Sequence, residues 1–146
     1  MATVDTVELG DAHAPKQESL RVFEQIEDEL KQTLIHTCHE YNKHEPEYFA
    51  AVKHLSNAEL TGFTAENFQQ VRVAVSAYGL HLFGKVRIPA LDGVGPSYIH
   101  FRAFTGGPDE RATLHSIHTE DKQDPSGGHT YRAVFTENDR LEWFDT

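Results

Sequence analysis

The sequence predicts an α+β domain, because one long helical pattern is followed by a series of strand patterns. From Gln17 to about Tyr41, apolar residues recur every three or four positions, which is the spacing of one helix face. From Val71 onward, apolar and polar residues alternate in short segments separated by glycine and proline, as in half-buried strands. This order predicts one long helix packed across a curved antiparallel meander sheet.

The helix is predicted over residues 17–41. No proline or glycine interrupts the chain between Pro15 and Pro46, and charged residues fill the positions between the apolar ones. Burial of one stripe against the sheet is therefore expected. The stripe consists of Leu20, Phe23, Ile26, Leu30, Leu34 and Cys38.

The segment between the helix and the first strand has a mixed pattern. Residues 48–52 are compatible with either a strand or a continuing helix, and the sequence leaves both open. Thr64 precedes a short helical pattern and has a hydroxyl side chain that suits an N-cap.

Six later segments have strand or extended patterns, and they lie at 71–75, 80–88, 97–104, 113–119, 130–136 and 141–144. Residues 89–96, which are rich in proline and glycine, and the polar residues 120–129 predict loops. Gly84 predicts a β-bulge in the second of these segments, so the sequence does not decide which face of that strand is buried.

Composition and charge argue against several classes of partner. The 146 residues include 13 basic and 23 acidic side chains, for a formal net charge of -10. Because this charge opposes binding to phosphate backbones and anionic membranes, we expect neither a nucleic-acid nor a membrane partner. The N-terminus lacks the basic and apolar regions of a secretory signal, and no apolar run is long enough to span a bilayer. We therefore expect a cytoplasmic protein.

The domain organisation is expected to be simple. Residues 1–15 predict a flexible N-terminal arm, and residues 16–146 predict a single domain. Cys38 is the single cysteine, so no internal disulfide is expected. Although His36, His39 and His44 cluster near the helix end, interaction with the helix dipole explains them without a metal. We predict no metal and no cofactor.

No motif in the sequence predicts catalysis. Ser76 and Ser116 lie outside any G-x-S-x-G pattern, which would mark a nucleophilic serine at a strand-to-helix turn. Cys38 falls on the apolar helix stripe, where a thiol is normally inert. The prediction is that the protein is not an enzyme.

Three segments carry a resemblance to a known family. Gly79 begins G-L-H-L-F-G-K-V, Tyr98 begins Y-I-H-F-R-A-F, and Glu137 begins E-N-D-R-L-E-W-F. They resemble the strand motifs of the stefin branch of the cystatin superfamily, namely G-x-x-x-F-x-K-V, an aromatic residue before V-H-L-R-V-F, and a terminal D-E-L-x-x-F. The order of arm, helix and meander is similar to the stefin order as well.

The resemblance implies a protein-binding module that inhibits papain-like cysteine proteases reversibly. Stefins insert a wedge into the protease cleft, formed by a glycine of the arm and two hairpin tips. Transferred to this sequence, the wedge consists of Gly10, Ser76, Ala77, Tyr78, Gly79, Gly106, Gly107 and Pro108. A monomer or a domain-swapped dimer is the implied state. The first tip departs from the family, because V-S-A-Y-G replaces Q-V-V-A-G and places the Tyr78 ring where stefins have alanine.

Two other interpretations remain open at the level of sequence. The glycines at 79, 106 and 107 are also what ordinary hairpin turns require, whatever the function. Alternatively, the helix and curved sheet could enclose a small-ligand or catalytic pocket. That interpretation requires Tyr78, His81, His100 and Arg102 to face a shared cavity.

Overall fold

The computed structural model describes residues 9–145 and begins with helix α1, Gln17–His44. The Ser19 hydroxyl accepts a hydrogen bond from the Lys16 amide at 2.8 Å, which satisfies one donor at the helix start. The predicted stripe is buried from Phe23 to Cys38. The burial predicted for Leu20 is wrong, because this residue is 39% exposed. The stripe continues from Phe23 to Ser19, four residues earlier, and Ser19 is buried instead.

Short helical turns connect α1 to the sheet. They are a 3₁₀ helix at Pro46–Val52, helix α2 at Asn57–Leu60 and a 3₁₀ turn at Ala65–Asn67. The question left open by residues 48–52 is thus decided in favour of a helix. Thr64 is the N-cap expected from the sequence, because its hydroxyl accepts a bond from the Glu66 amide at 3.3 Å.

Four antiparallel strands form the main sheet in the order β1-β2-β3-β4, and the architecture is α+β as predicted. The strands are β1 Phe68–Ser76, β2 Gly79–Arg87, β3 Tyr98–Thr105 and β4 Thr113–Ile117. Strands β5 (Glu120–Gln123) and β6 (His129–Arg132) form a second, two-stranded sheet. The loop predicted at 120–129 is therefore partly wrong, because cross-strand pairs such as Glu120 with Arg132 order its polar ends.

The register decides which face of each strand is buried. Leu82, Val86 and Phe101 join the large apolar cluster that contains α1, whereas Phe83 belongs to a second cluster on the opposite face of the sheet. We call the face opposite α1 the outer face. The bulge expected at Gly84 is wrong, since the register of β1 and β2 shifts between Phe68 and Gln70. A glycine is needed at position 84 because the Phe101 ring packs onto its backbone.

Both edges of the main sheet are covered. On the β4 side, α1 supplies Gln25, whose amide oxygen accepts from the Ala112 amide at 2.7 Å, and Glu29, which accepts from the Leu114 amide. On the β1 side, Gly10 donates to Val73 and His13 pairs with Val71. The predicted flexible arm is therefore held at these two points, and residues 1–8 lie outside the described part.

The segment at residues 137–145, which we call the C-terminal tail, crosses the outer face without forming a strand. Leu141 and Phe144 are buried there against Phe83, with Leu9 and Trp143 packed beside them. The extended segment expected at 141–144 is thus held by side-chain packing instead of a strand ladder. The tail gives the outer face a second layer.

Candidate functional site

The first predicted tip is a tight turn between β1 and β2. Ser76 pairs with Gly79, so Ala77 and Tyr78 form a two-residue turn. Gly79 has a φ of +147°, a conformation that favours glycine strongly. Ala77 is exposed, and the Tyr78 ring is 67% exposed although it is large and apolar over most of its surface. The turn therefore presents one small and one aromatic side chain to solvent.

The second predicted tip, residues 106–108, follows β3. The Thr105 hydroxyl accepts from the Gly107 amide at 3.3 Å and donates to the Gly107 carbonyl at 3.0 Å, which fixes the start of the loop. The Glu110 carboxylate lies against Gly106, so a side chain at position 106 would require the exposed Glu110 side chain to move. Pro108 is exposed and stiffens the loop end.

The structure brings the two tips together. A Cβ on Gly79 would overlap the Thr105 carbonyl oxygen and lie 3.0 Å from the Gly106 Cα, so the two backbones are in contact. We call residues 76–79 and 106–108 together the tip surface. Gly10 lies farther back, since its amide donates to the Val73 carbonyl at 2.8 Å, three positions before Ser76.

Ser76 forms a hydrogen bond with a buried histidine, and this contact bears on catalysis. The Ser76 Oγ lies 3.0 Å from His81 Nε2, a distance at which a histidine can activate a serine. However, Arg102 Nη2 lies 3.3 Å from His81 Nδ1, and a guanidinium only donates. His81 must therefore accept at Nδ1 and carry its hydrogen at Nε2, so that it donates to Ser76. In this tautomer it cannot remove the serine proton, and the pair serves to fix the turn.

The pKa of His81 agrees with this assignment. Burial lowers the pKa of the imidazole, and the positive charge of Arg102 lowers it further, with a smaller contribution from His115. A neutral ring is the form that accepts a bond from a guanidinium. The geometry and the pKa thus both favour neutral His81.

Sequence reasoning missed the polar layer beneath the C-terminal tail. Three basic side chains from three adjacent strands donate to tail carbonyls: Arg72 to Leu141 at 2.8 Å, Lys85 to Glu137 and Asp139 at 3.0 and 2.6 Å, and Arg102 to Phe144 at 3.2 Å. Burial lowers the pKa of Lys85. The only sequence signal was the recurrence of basic residues on one face of neighbouring strands. It could not identify the tail as the acceptor.

His100 lies in the same layer and is 1% exposed. Its ring stacks on Phe135 with centroids 4.3 Å apart. Within residues 9–145 its Nε2 has no hydrogen-bond partner. Burial first, and then the charge of Lys85, lower its pKa from 6.5 to about 3. His100 is therefore neutral in the folded protein at neutral pH.

Two further properties concern the described residues as a whole. Between residues 9 and 145, no group of three or more His, Cys, Asp or Glu side chains is arranged to hold a metal ion. In the same part of the chain, every helix is too short or too polar to cross a bilayer.

Comparisons with protein-family models, with curated proteins and with solved structures gave no match. The resemblance to stefins therefore rests on the three sequence segments described above. The fold and the tip surface have to be interpreted from their own geometry.

Proposed function

We propose that this protein is a protein-binding module whose contact region is the tip surface, and that it reversibly inhibits papain-like cysteine proteases. The observation that carries the proposal is the contact between Gly79 and the backbone at Thr105 and Gly106, which joins the two turns into one narrow edge. A narrow edge of tight turns is the shape that a protease cleft admits.

The chemistry of this edge suits burial in a cleft. Ala77 and Gly106 are small and exposed, so they permit close approach of a partner backbone. Val75 and Tyr78 are large exposed apolar side chains beside them. Burying an apolar side chain of this size stabilises a complex by about 1.5–3 kcal/mol, and aromatic residues are frequent anchors in interfaces. The tip surface therefore combines steric access with apolar contact area.

The pocket interpretation receives less support from the geometry. It requires four polar residues around one cavity, yet His81, His100 and Arg102 are buried on the outer face while Tyr78 points into solvent. On the α1 side, the sheet is packed with apolar side chains, including Phe101 and Val86. These four residues do not line a common space.

The proposal is tested by titrating papain with the protein. Wild type is expected to inhibit reversibly at submicromolar concentration, which corresponds to more than about 8 kcal/mol of binding free energy. Ala77→Arg adds bulk and charge at the exposed turn and should weaken inhibition at least about a hundredfold, as expected for an unpaired charge buried at an interface. Ala90→Arg is the matched control, since Ala90 is an exposed alanine in the loop at the opposite end of the sheet.

Gly79 is a poor position for added bulk, because a Cβ there would overlap the Thr105 carbonyl oxygen and its φ of +147° disfavours other residues, so a substitution would disturb the fold itself. Tyr78→Ala separates the role of the ring: weaker inhibition means that it contributes contact area, and stronger inhibition means that it fits the cleft badly. Absence of inhibition at about 10 μM by both wild type and Tyr78→Ala, a Kd too weak for a specific inhibitor, refutes the proposal.

A further inference from the structure

A continuous set of hydrogen bonds connects the C-terminal tail to the first tip. The Asp145 carboxylate accepts from Arg102 Nη1 at 3.0 Å, and Arg102 Nη2 donates to His81 Nδ1 at 3.3 Å. His81 Nε2 donates to Ser76 Oγ at 3.0 Å, and the same Oγ accepts from the Tyr78 amide at 3.2 Å. The direction of every bond follows from the guanidinium, which can only donate.

The two middle residues, Arg102 and His81, are held tightly by packing. A change at Asp145 is therefore expected to alter the hydrogen bond at Ser76. The Arg102 guanidinium lies 4.7 Å from the Trp143 ring and 5.4 Å from the Phe83 ring. His81 lies 5.1 Å from the Phe104 ring, and both His81 and Arg102 are buried. Buried side chains packed between rings have few alternative rotamers. The set therefore has one well-defined arrangement.

Asp145 is the exposed end of the set. Its side chain is 71% exposed, while that of Arg102 is 4% exposed, so a surface carboxylate supplies the countercharge of a buried cation. Without this carboxylate, Arg102 would be left with the Phe144 carbonyl and the neutral His81 ring as partners. Loss of the countercharge of such a buried cation is strongly disfavoured and destabilises the one arrangement that this packing permits. The His81 tautomer and the Ser76 hydroxyl would then lose their fixed orientation.

We propose that Asp145 of the C-terminal tail is a positioning residue, which acts through Arg102 and His81 to hold the turn at residues 76–79 in its binding conformation. This inference rests on the proposed function, because it concerns the same turn. It adds a second region of the chain, on the outer face, to the determinants of binding at the tip surface.

The test measures amide hydrogen exchange at Tyr78 by NMR in the full chain. Asp145→Ala should raise the exchange rate at Tyr78 about fivefold, in the range of couplings within one hydrogen-bond network. Asp145→Asn keeps an oxygen acceptor and should recover part of the protection. Glu142→Ala is the matched control, since it removes an exposed carboxylate from the same tail and should leave Tyr78 unchanged.

A double-mutant cycle distinguishes positioning from general loosening. Ser76→Ala removes the acceptor of the Tyr78 amide, so adding Asp145→Ala to it should have no further effect on exchange at Tyr78. General loosening of the tail would instead raise exchange equally with and without Ser76. Equal effects in the two backgrounds, or an unchanged Tyr78 amide in Asp145→Ala, overturn the proposal.

Papain titration of the same variants separates this inference from the proposed function. If wild type fails to inhibit, the proposed function fails, while the exchange cycle still decides whether Asp145 positions the turn. If wild type inhibits, Asp145→Ala should weaken inhibition and Glu142→Ala should not. Equal inhibition by wild type and Asp145→Ala overturns the role of the tail in binding.

Discussion

The buried imidazole of His100 makes the folding stability depend on pH. Its pKa is about 3 in the folded protein, whereas the pKa of a histidine in the unfolded chain is about 6.5. Below about pH 6.5 the unfolded chain therefore takes up a proton that the folded protein does not, and this uptake favours unfolding. The stabilisation by neutral His100 is complete above pH 6.5 and decreases as the pH falls toward about 3.

The magnitude follows from the two pKa values. Each pH unit inside this window removes about 1.4 kcal/mol, so lowering the pH from about 7 to about 4.5 removes about 2.5 kcal/mol. The surroundings of His100 determine the direction of its pKa shift. Burial, Lys85, His118 and Arg132 lower the pKa, while Asp139 raises it. Because burial is the largest cause, salt should change the effect little.

His100→Phe isolates this contribution, because phenylalanine keeps the ring on Phe135 and cannot titrate. Urea unfolding followed by circular dichroism at a series of pH values gives the free energy of unfolding for each protein. Between about pH 7 and about pH 4.5, the variant should lose about 2.5 kcal/mol less than wild type. His36→Phe, at an exposed helix position, is the control and should lose as much as wild type. An unchanged pH dependence in His100→Phe would refute the assignment.

Two packing predictions follow from the core. Phe23→Ala should lower the free energy of unfolding by about 3–5 kcal/mol, because it empties a site enclosed by other rings. Leu20→Ala on the same helix should cost less than about 1 kcal/mol, since that side chain is partly exposed. Gly84→Ala should cost about 3 kcal/mol or more, because the new methyl group overlaps the Phe101 ring, whereas Gly95→Ala, which has open space around it, should stay within about 0.5 kcal/mol. Urea unfolding measures all four, and equal losses within either pair would contradict the packing argument.

The features that the sequence predicted are those set by local patterns. The α1 stripe from Phe23 to Cys38 follows from helical spacing, and the turn before Gly79 follows from glycine chemistry. The start of the buried stripe was wrong at Leu20, because the periodicity places Ser19 on that face. Strand β5 was missed because its charged residues do not alternate with apolar ones. Strand β5 forms because it pairs with β6, and its own composition does not indicate a strand.

The contacts that hold the candidate site in place could not be predicted from the sequence, because they join segments that are distant along the chain. Arg102 reads as an alternating strand residue, and nothing local indicates that Asp145 would pair with it across the outer face. The prediction of a bulge at Gly84 was wrong for the same reason, since the Phe101 ring that requires a glycine there comes from the next strand. The sequence thus predicted the two turns but not the contacts that hold them in place.

The two covered edges of the main sheet are protected with unequal strength, and this inequality has a consequence for aggregation. At β4 the protecting groups, Gln25 and Glu29, belong to α1, which cannot leave without global unfolding. At β1 the protection consists of backbone pairs from Gly10 and His13, one bond from Arg72 to the Gly10 carbonyl at 2.7 Å and the packing of Leu9, all on a short segment that local fraying can release. An uncovered edge strand is a template for intermolecular pairing. Under mild heat or low pH, self-association is therefore expected to begin at β1, and shortening the arm should accelerate it.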